Sequence, residues 1–363
     1  MAHEWLDRLL GALAEVGGSD LHVKAGSPPR MRVNGVLQVV EGEPPVTPEV
    51  TAEVAGAIMR PDVADHFASA HEADFAYSVP AVGRFRVNAF SQRGSVAMVM
   101  RLVRTVVPTF DELGLPEVIS RLAGEHRGLI LVTGPTGSGK TTTLAAMIDH
   151  INRTRPCHIV TIEDPVEVLH GDHLASVNQR EIGIDTRSFG SAMRAAMRQD
   201  PDVILVGEMR DIETVEAALS AAETGHLVLS TLHTIDSPET VNRIVDFFPP
   251  HQHNQVRVAL AGALKGVICQ RLVPTVDGHG RVPALEVMVV NGRVQQCILD
   301  PHRTGDIAEI VAEGDYYGMQ SFDQSLVSLY EAGLIDLRAA VAAASNRHDL
   351  QVLLQQKGLV ATG

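Results

Sequence analysis

Cysteine is scarce in this chain: Cys157, Cys269 and Cys297 are the only three in 363 residues, and none forms a C-x-x-C pair. That excludes a four-cysteine metal centre and a dense disulfide framework. The three lie in "PCHIV", "VICQRL" and "QQCIL", apolar settings that predict buried thiols and, with them, a cytoplasmic protein. Basic residues are also short, 30 against 44 acidic for a formal net charge of −14, which argues against a general nucleic-acid coating protein but leaves room for a local basic channel. No apolar run approaches the roughly 18 residues of a membrane span, and no secretory signal opens the chain. Aromatics make up 4% of an otherwise ordinary soluble composition that is 45% apolar.

The first residues, "MAHEWLDRLLGALAEVGG", space Trp5, Leu6, Leu9, Leu10, Leu13 and Val16 along one helical face that Gly17 and Gly18 end. Glu4, Asp7 and Glu15 outnumber Arg8 on the other face, so core packing is expected rather than a membrane surface. Residues 19 to 103 read as a small α+β unit. Asn34-Gly35 signals a hairpin turn, and "GRFRVNAF" puts Arg84, Arg86 and Asn88 on one strand face with Phe85, Val87 and Ala89 on the other. Two arginines on one face are either a solvated surface or an anion site. The expected division is an N-terminal domain over 1–107, a Pro- and Gly-containing linker over 108–116 and a second domain over 117–363.

In the second domain "LILVTGPTGSGKTTTLAAMID" runs a strand pattern into a glycine-rich turn and then a helix pattern. The turn satisfies G-x-x-x-x-G-K-[ST] with Gly134, Gly139, Lys140 and Thr141. Glycines let successive N–H groups point inward, and the helix start adds its unpaired N–H groups and positive dipole end. The expected phosphate cradle is Gly134, Pro135, Thr136, Gly137, Ser138, Gly139, Lys140, Thr141 and Thr142, with Lys140 on the β- and γ-phosphates of a nucleotide and Thr141 on Mg²⁺. The competing reading is a chance glycine turn.

Short β-rich runs then alternate with helical runs, the sign of an α/β fold with a parallel sheet. "LILVT", "HIVTI", "VILVG" and "LVLSTL" are each followed by polar groups: the phosphate loop, Glu163-Asp164, Glu208 and His233. Open parallel sheets bind ligands at those strand ends. Glu208 can hold the hydration shell of Mg²⁺, partly through water, and Glu163 can orient or deprotonate the attacking water. Asp164, before Pro165, reads as a local hydrogen-bond acceptor in a turn. His226 and His233 stand about 23 Å apart at ~3.3 Å per residue, too far to chelate one ion. His233 is placed to sense the γ-phosphate and His226 is expected to be structural. "VPTVDGHGRVPALEVMVV" predicts a hairpin around 277–280, with helices following to the end.

Taken together, "GPTGSGKTTT", "TIEDPVE", "RQDPDVILVGEMRD", "GHLVLSTLHTIDSPETVNRIVDFFP", "GGSDLHVKAGSPPRMRVNG" and "GRFRVNAF" resemble the secretion and type IV pilus motor ATPases, over about residues 5 to 330. The resemblance implies a RecA-like P-loop ATPase domain behind a smaller PAS-like N-terminal domain, a homo-hexamer, ATP with Mg²⁺, and work on an inner-membrane platform protein from the cytoplasmic side. It places Arg84 and Arg86 at a domain or subunit junction, as catalytic arginines beside Glu163, Glu208 and His233. Within the family the chain is similar to the retraction branch, which drives pilus disassembly and twitching motility, because the long N-terminal region and four-cysteine motif of extension and type II secretion motors are absent. The segment "HRTGDIAEIVAEGDYYGMQSFDQSL" stands where some retraction motors carry a basic "AIRNLIRE"-type helix and is closer to accessory retraction motors, so a second retraction ATPase is a further expected partner. Extension or secretion ATPase is the alternative. A P-loop kinase would need an acceptor-binding insert, and a nucleic-acid translocase would show basic or aromatic strand-binding loops; no nucleic-acid partner is expected.

Overall fold

The computed structural model describes residues 2–359; Met1 and residues 360–363, the outermost positions of the two expected domains, lie outside the described residues. The chain divides into two compact units, Met1–Arg104 and Thr105–Gly363.

In the first unit, helix α1 (Ala2–Glu15) buries Leu6, Leu9, Leu10 and Leu13 as its spacing predicts. Val16, expected on the same face, lies past the helix end and is 56% exposed. The helix stops because Gly17 takes a left-handed φ of 65° and the Gly18 N–H turns back to donate to the Leu13 carbonyl at 2.8 Å. Six antiparallel strands follow in the order β3-β2-β1-β6-β5-β4: β1 (Asp20–Lys24), β2 (Arg30–Val33), β3 (Val36–Val39), β4 (Glu72–Val79), β5 (Gly83–Gln92) and β6 (Ser95–Leu102). Asn34 and Gly35, both at positive φ, make the expected two-residue turn between β2 and β3. Helices α2 (Pro48–Ile58) and α3 (Pro61–Ala70) bridge the two halves of the sheet.

Phe85, Val87 and Ala89 of β5 are fully buried in this unit's core, against α1 and α2, so Arg84, Arg86 and Asn88 take the opposite face. Register then sets Arg32, Asp20, Arg101 and Arg86 side by side across four strands. Asp20 is the buried member. Arg101 donates to its carboxylate at 2.7 Å and Arg32 stands at 3.6 Å. Burial pushes this carboxyl up, but the Ser19 hydroxyl with Arg101 and Arg32 more than offsets it, so it stays below the usual carboxylate range.

The second unit is built on a seven-stranded sheet in the order β13-β12-β7-β11-β10-β8-β9. Its strands are β7 (Gly128–Thr133), β8 (His158–Glu163), β9 (Ser176–Glu181), β10 (Val203–Val206), β11 (Leu227–Leu232), β12 (Leu264–Pro274) and β13 (Arg281–Val289). All neighbours are parallel except the β12–β13 hairpin, which closes at Pro274 and Arg281 where the sequence predicts a turn. Residues of β7, β8, β10 and β11 are apolar on both faces because both faces are covered. Leu129 and Leu131 join one core with α6 (Phe189–Ala196), α7 (Ile212–Glu223), α8 (Ser237–Asp246) and α9 (His253–Ala263). Ile130 and Val132 join the other with α4 (Glu117–Ala123) and α5 (Lys140–Thr154). Residues 108–116 carry neither helix nor strand. Within them Phe110, Leu113 and Leu115 pack into the α4–α5 core. The remaining helices, between Gly292 and Gln356, lie against the hairpin side, where Arg271 of β12 donates to the Ala343 carbonyl at 2.7 Å.

The Asp20 cluster generates a stability prediction with a sign. A carboxyl whose pKa is lowered on folding stabilises the folded state above its unfolded value, about 3.9, and loses that contribution as pH falls through the folded value. Asp20→Asn is therefore expected to cost about 1–3 kcal/mol at neutral pH and to converge with the parent protein in strongly acidic solution, as measured by urea unfolding across pH.

Candidate active site

The loop between β7 and α5 is shaped by how close two glycines come to a neighbouring strand. Gly134 has φ +138° and Gly139 φ +92°; a Cβ would stand 2.3 Å from the Gln270 carbonyl oxygen at the first and 2.6 Å from Gln270 Nε2 at the second. Only glycine fits either place. Gln270 also accepts a hydrogen bond from Thr143 Oγ1 at 2.8 Å, so this residue of β12 braces the loop and the first turn of α5 together. Lys140 Nζ donates to the Gly134 and Pro135 carbonyls at 2.7 and 3.1 Å. Burial draws its ammonium below the ordinary lysine value, with the Glu208 charge pulling the other way. Ser138 Oγ is buried with no hydrogen-bond partner. A curled backbone, a buried cation and a spare hydroxyl make a phosphate cradle.

A cleft of about 500 Å³ opens over this loop, lined by Thr136, Gly137, Gly139, Lys140, Thr141 and Thr142 and, from the neighbouring strand ends, by Glu163, Glu208 and His233. Gly134 sits beneath it as the carbonyl that Lys140 reaches, while Pro135 and Ser138 line an adjoining cavity with Arg271 and Arg338. Arg84 and Arg86 belong to the first unit's sheet, where Arg86 lies 4.0 Å from Asp74.

The two glutamates sit in unlike surroundings. Glu163, the last residue of β8, is buried and accepts from Thr161 Oγ1 at 2.6 Å and Gln179 Nε2 at 3.1 Å. Burial raises its carboxyl above the usual range, and those two donors only partly offset it. Glu208 follows β10 and is held by the Arg210 guanidinium at 2.8 Å, with the His233 ring at 3.2 Å. Its strand end is fixed by Thr231 Oγ1, which donates to the Gly207 carbonyl at 2.7 Å, and by the Gly207 N–H, which donates to the Ile162 carbonyl. His226, at the far end of β11, places Nδ1 3.0 Å from the Ala221 carbonyl. Cys269 and Cys297 are buried and Cys157 half-buried, as expected of structural thiols. Among the described residues no helix is long and apolar enough to cross a membrane.

The family profile "Type II/IV secretion system protein" matches residues 4–355. The chain belongs to that family. Two relatives of this secretion ATPase chain come from Pseudomonas aeruginosa: type IV pilus ATPase PilU, 42% identical over 96% of this chain and 91% of its own, and type IV pilus retraction ATPase PilT, 44% identical over 91% and 95%. A solved structure of the pilus retraction motor PilT with bound ADP matches with a TM-score of 0.87 at 45% identity, covering 96% of this chain and 99% of that one. The secretion ATPase fold with an N-terminal domain is thus the fold of this family member.

Sequence reasoning missed Gln270, Gln179 and Arg210. The first two act through strand pairings that no local pattern announces; Arg210 sits inside "GEMRD", two residues past the glutamate, and that proximity was the available signal.

Two substitutions separate charge from shape in the cradle. Lys140→Ala is expected to weaken binding of a fluorescent nucleotide by about ten- to a hundredfold, the worth of a charge-assisted hydrogen bond, with thermal stability kept. Gly134→Ala should abolish binding and lower the melting temperature as well, because its methyl group meets backbone.

Proposed function

We propose that this chain is an ATP-hydrolysing motor that drives type IV pilus retraction, working as a ring of six copies on an inner-membrane platform protein, with a second retraction ATPase as an additional partner. The observation that supports its chemistry is the meeting of Lys140, Thr141, Glu163, Glu208 and His233 in one cleft. The direction of the work rests on likeness to PilT and PilU over nearly the whole chain.

In this reading Lys140 leaves the loop carbonyls for the β- and γ-phosphates, and the loop N–H groups hold the remaining oxygens. The Thr141 hydroxyl and Glu208 carboxylate are hard oxygen donors that fit Mg²⁺, the carboxylate partly through water, and the bound ion would neutralise charge on the phosphates. Glu163 takes the proton of the attacking water, and its raised pKa makes it a stronger base than an exposed glutamate. His233 couples the γ-phosphate region to Glu208. Arg84 and Arg86 are proposed as additional cations for the developing phosphate charge. Rings mixed from Lys140→Ala and Arg84→Ala/Arg86→Ala subunits regain activity if the arginines serve a neighbouring copy.

Glu163→Gln and Glu208→Gln are expected to retain nucleotide binding and lose about a hundredfold or more in turnover; near-normal turnover in both would sink the assignment. The rate should rise with pH as Glu163 ionises, above the usual glutamate range. Gln179→Leu removes a donor that favours the ionised form, so it moves that limb to higher pH, whereas Glu163→Gln erases it; steady-state hydrolysis against pH reads both. Cells lacking the protein should display pili that do not withdraw, and bald cells with unassembled pilin would reverse the direction.

A further inference from the structure

Both oxygens of the Glu208 carboxylate are already engaged. Arg210 Nη2 donates to Oε2 at 2.8 Å, and His233 Nε2 stands 3.2 Å from Oε1. The other terminal nitrogen of Arg210, Nη1, lies 3.9 Å from Asp164 Oδ2. Asp164 follows Glu163 at the end of β8, and β8 and β10 are adjacent strands in parallel register, Ile162 beside Val206. One guanidinium therefore sits between two carboxylates on neighbouring strand ends, close to the first and just beyond hydrogen-bond reach of the second.

A carboxylate oxygen that accepts a guanidinium N–H spends on it a lone pair and negative charge that a metal hydration shell would also use. The two partners are unequal in setting: the Glu208 side chain is 20% exposed and Asp164 44%, while Arg210 at 59% has room to turn. Closing the longer contact to a charge-assisted distance of about 2.8 Å is a rotamer-scale movement. The sequence reading of Asp164 as a mere turn acceptor does not account for an arginine held against it.

We propose that Arg210 is a latch on Glu208, a positioning residue that occupies the carboxylate in the empty site and transfers to Asp164 when metal and nucleotide enter. The latch restrains Glu208 from taking up a metal alone, and Asp164 is the seat that makes its release inexpensive. The proposal rests on the reading of Glu208 as the metal-side carboxylate.

The test is a binding measurement without turnover. The full chain is saturated with a fluorescent, non-hydrolysable ATP analogue, MgCl₂ is titrated, and the half-saturating Mg²⁺ concentration is read from the fluorescence. Arg210→Gln is expected to lower that concentration by about two- to fivefold, the range for a partly exposed ion pair. Asp164→Asn is expected to raise it by a similar factor, because the arginine loses its second seat. The double variant should match Arg210→Gln alone. An Asp164→Asn effect that persists without Arg210 would show simple loss of nearby negative charge and overturn the transfer. Unchanged or weakened Mg²⁺ response in Arg210→Gln, with Glu208→Gln weakened, overturns the latch and leaves the metal reading standing. If Glu208→Gln itself titrates like the parent, the metal reading fails and the latch with it.

Discussion

The level ends of the parallel strands carry everything at the site. Thr133 pairs with Leu232, Ser230 with Val206 and Val206 with Ile162, so β7, β11, β10 and β8 finish along one edge. Because these strands are buried on both faces, a one-residue slip would exchange every side chain between two differently shaped cores. The register is thereby locked by packing far from the chemistry. The phosphate loop, Glu163, Glu208 and His233 inherit their proximity from that lock rather than from attraction to one another, which two carboxylates near each other would oppose.

Environment then gives the two glutamates different characters. Glu163 is dry, with hydroxyl and amide donors at its oxygens, and its negative form is disfavoured; Glu208 is wetter and wrapped by an arginine and a histidine. One is suited to taking a proton, and the other presents its oxygens to a guanidinium and an imidazole. The first unit shows a third solution: Asp20 is buried yet kept ionised by arginines on both neighbouring strands. Burial alone sets none of these outcomes; the partners decide.

Much of this was readable beforehand, for identifiable reasons. The apolar runs of β7, β8, β10 and β11 announce a two-sided buried sheet, and the alternation in β5 announces which side Arg84 and Arg86 take. Strand β9, "SVNQRE", carries no apolar pattern because it is an edge strand with Val177 as its one apolar residue, and its place depends on pairing with β8. Leu115 falls in the expected linker because prolines and a glycine surround it, yet one leucine and its neighbours suffice to bind an irregular segment to a core. Gln179 and Gln270 were invisible for a deeper reason: a glutamine's role is set by what lies across the sheet, and local sequence holds no record of that.

Gln270 has implications for how such a chain can drift. Its carbonyl excludes a side chain at Gly134, its amide crowds Gly139, where a φ of +92° already disfavours one, and the same amide accepts the Thr143 hydroxyl across 127 residues of sequence. Three sites on one segment are thus tied to a single position on another. Exchanging Gln270 for a branched or shorter residue would remove the brace without freeing Gly134, because the backbone of β12 would still be there, and Gly139 would keep its left-handed φ of +92°. Neutral single steps away from this arrangement are therefore few, and the loop and its supporting strand are bound to change together or not at all.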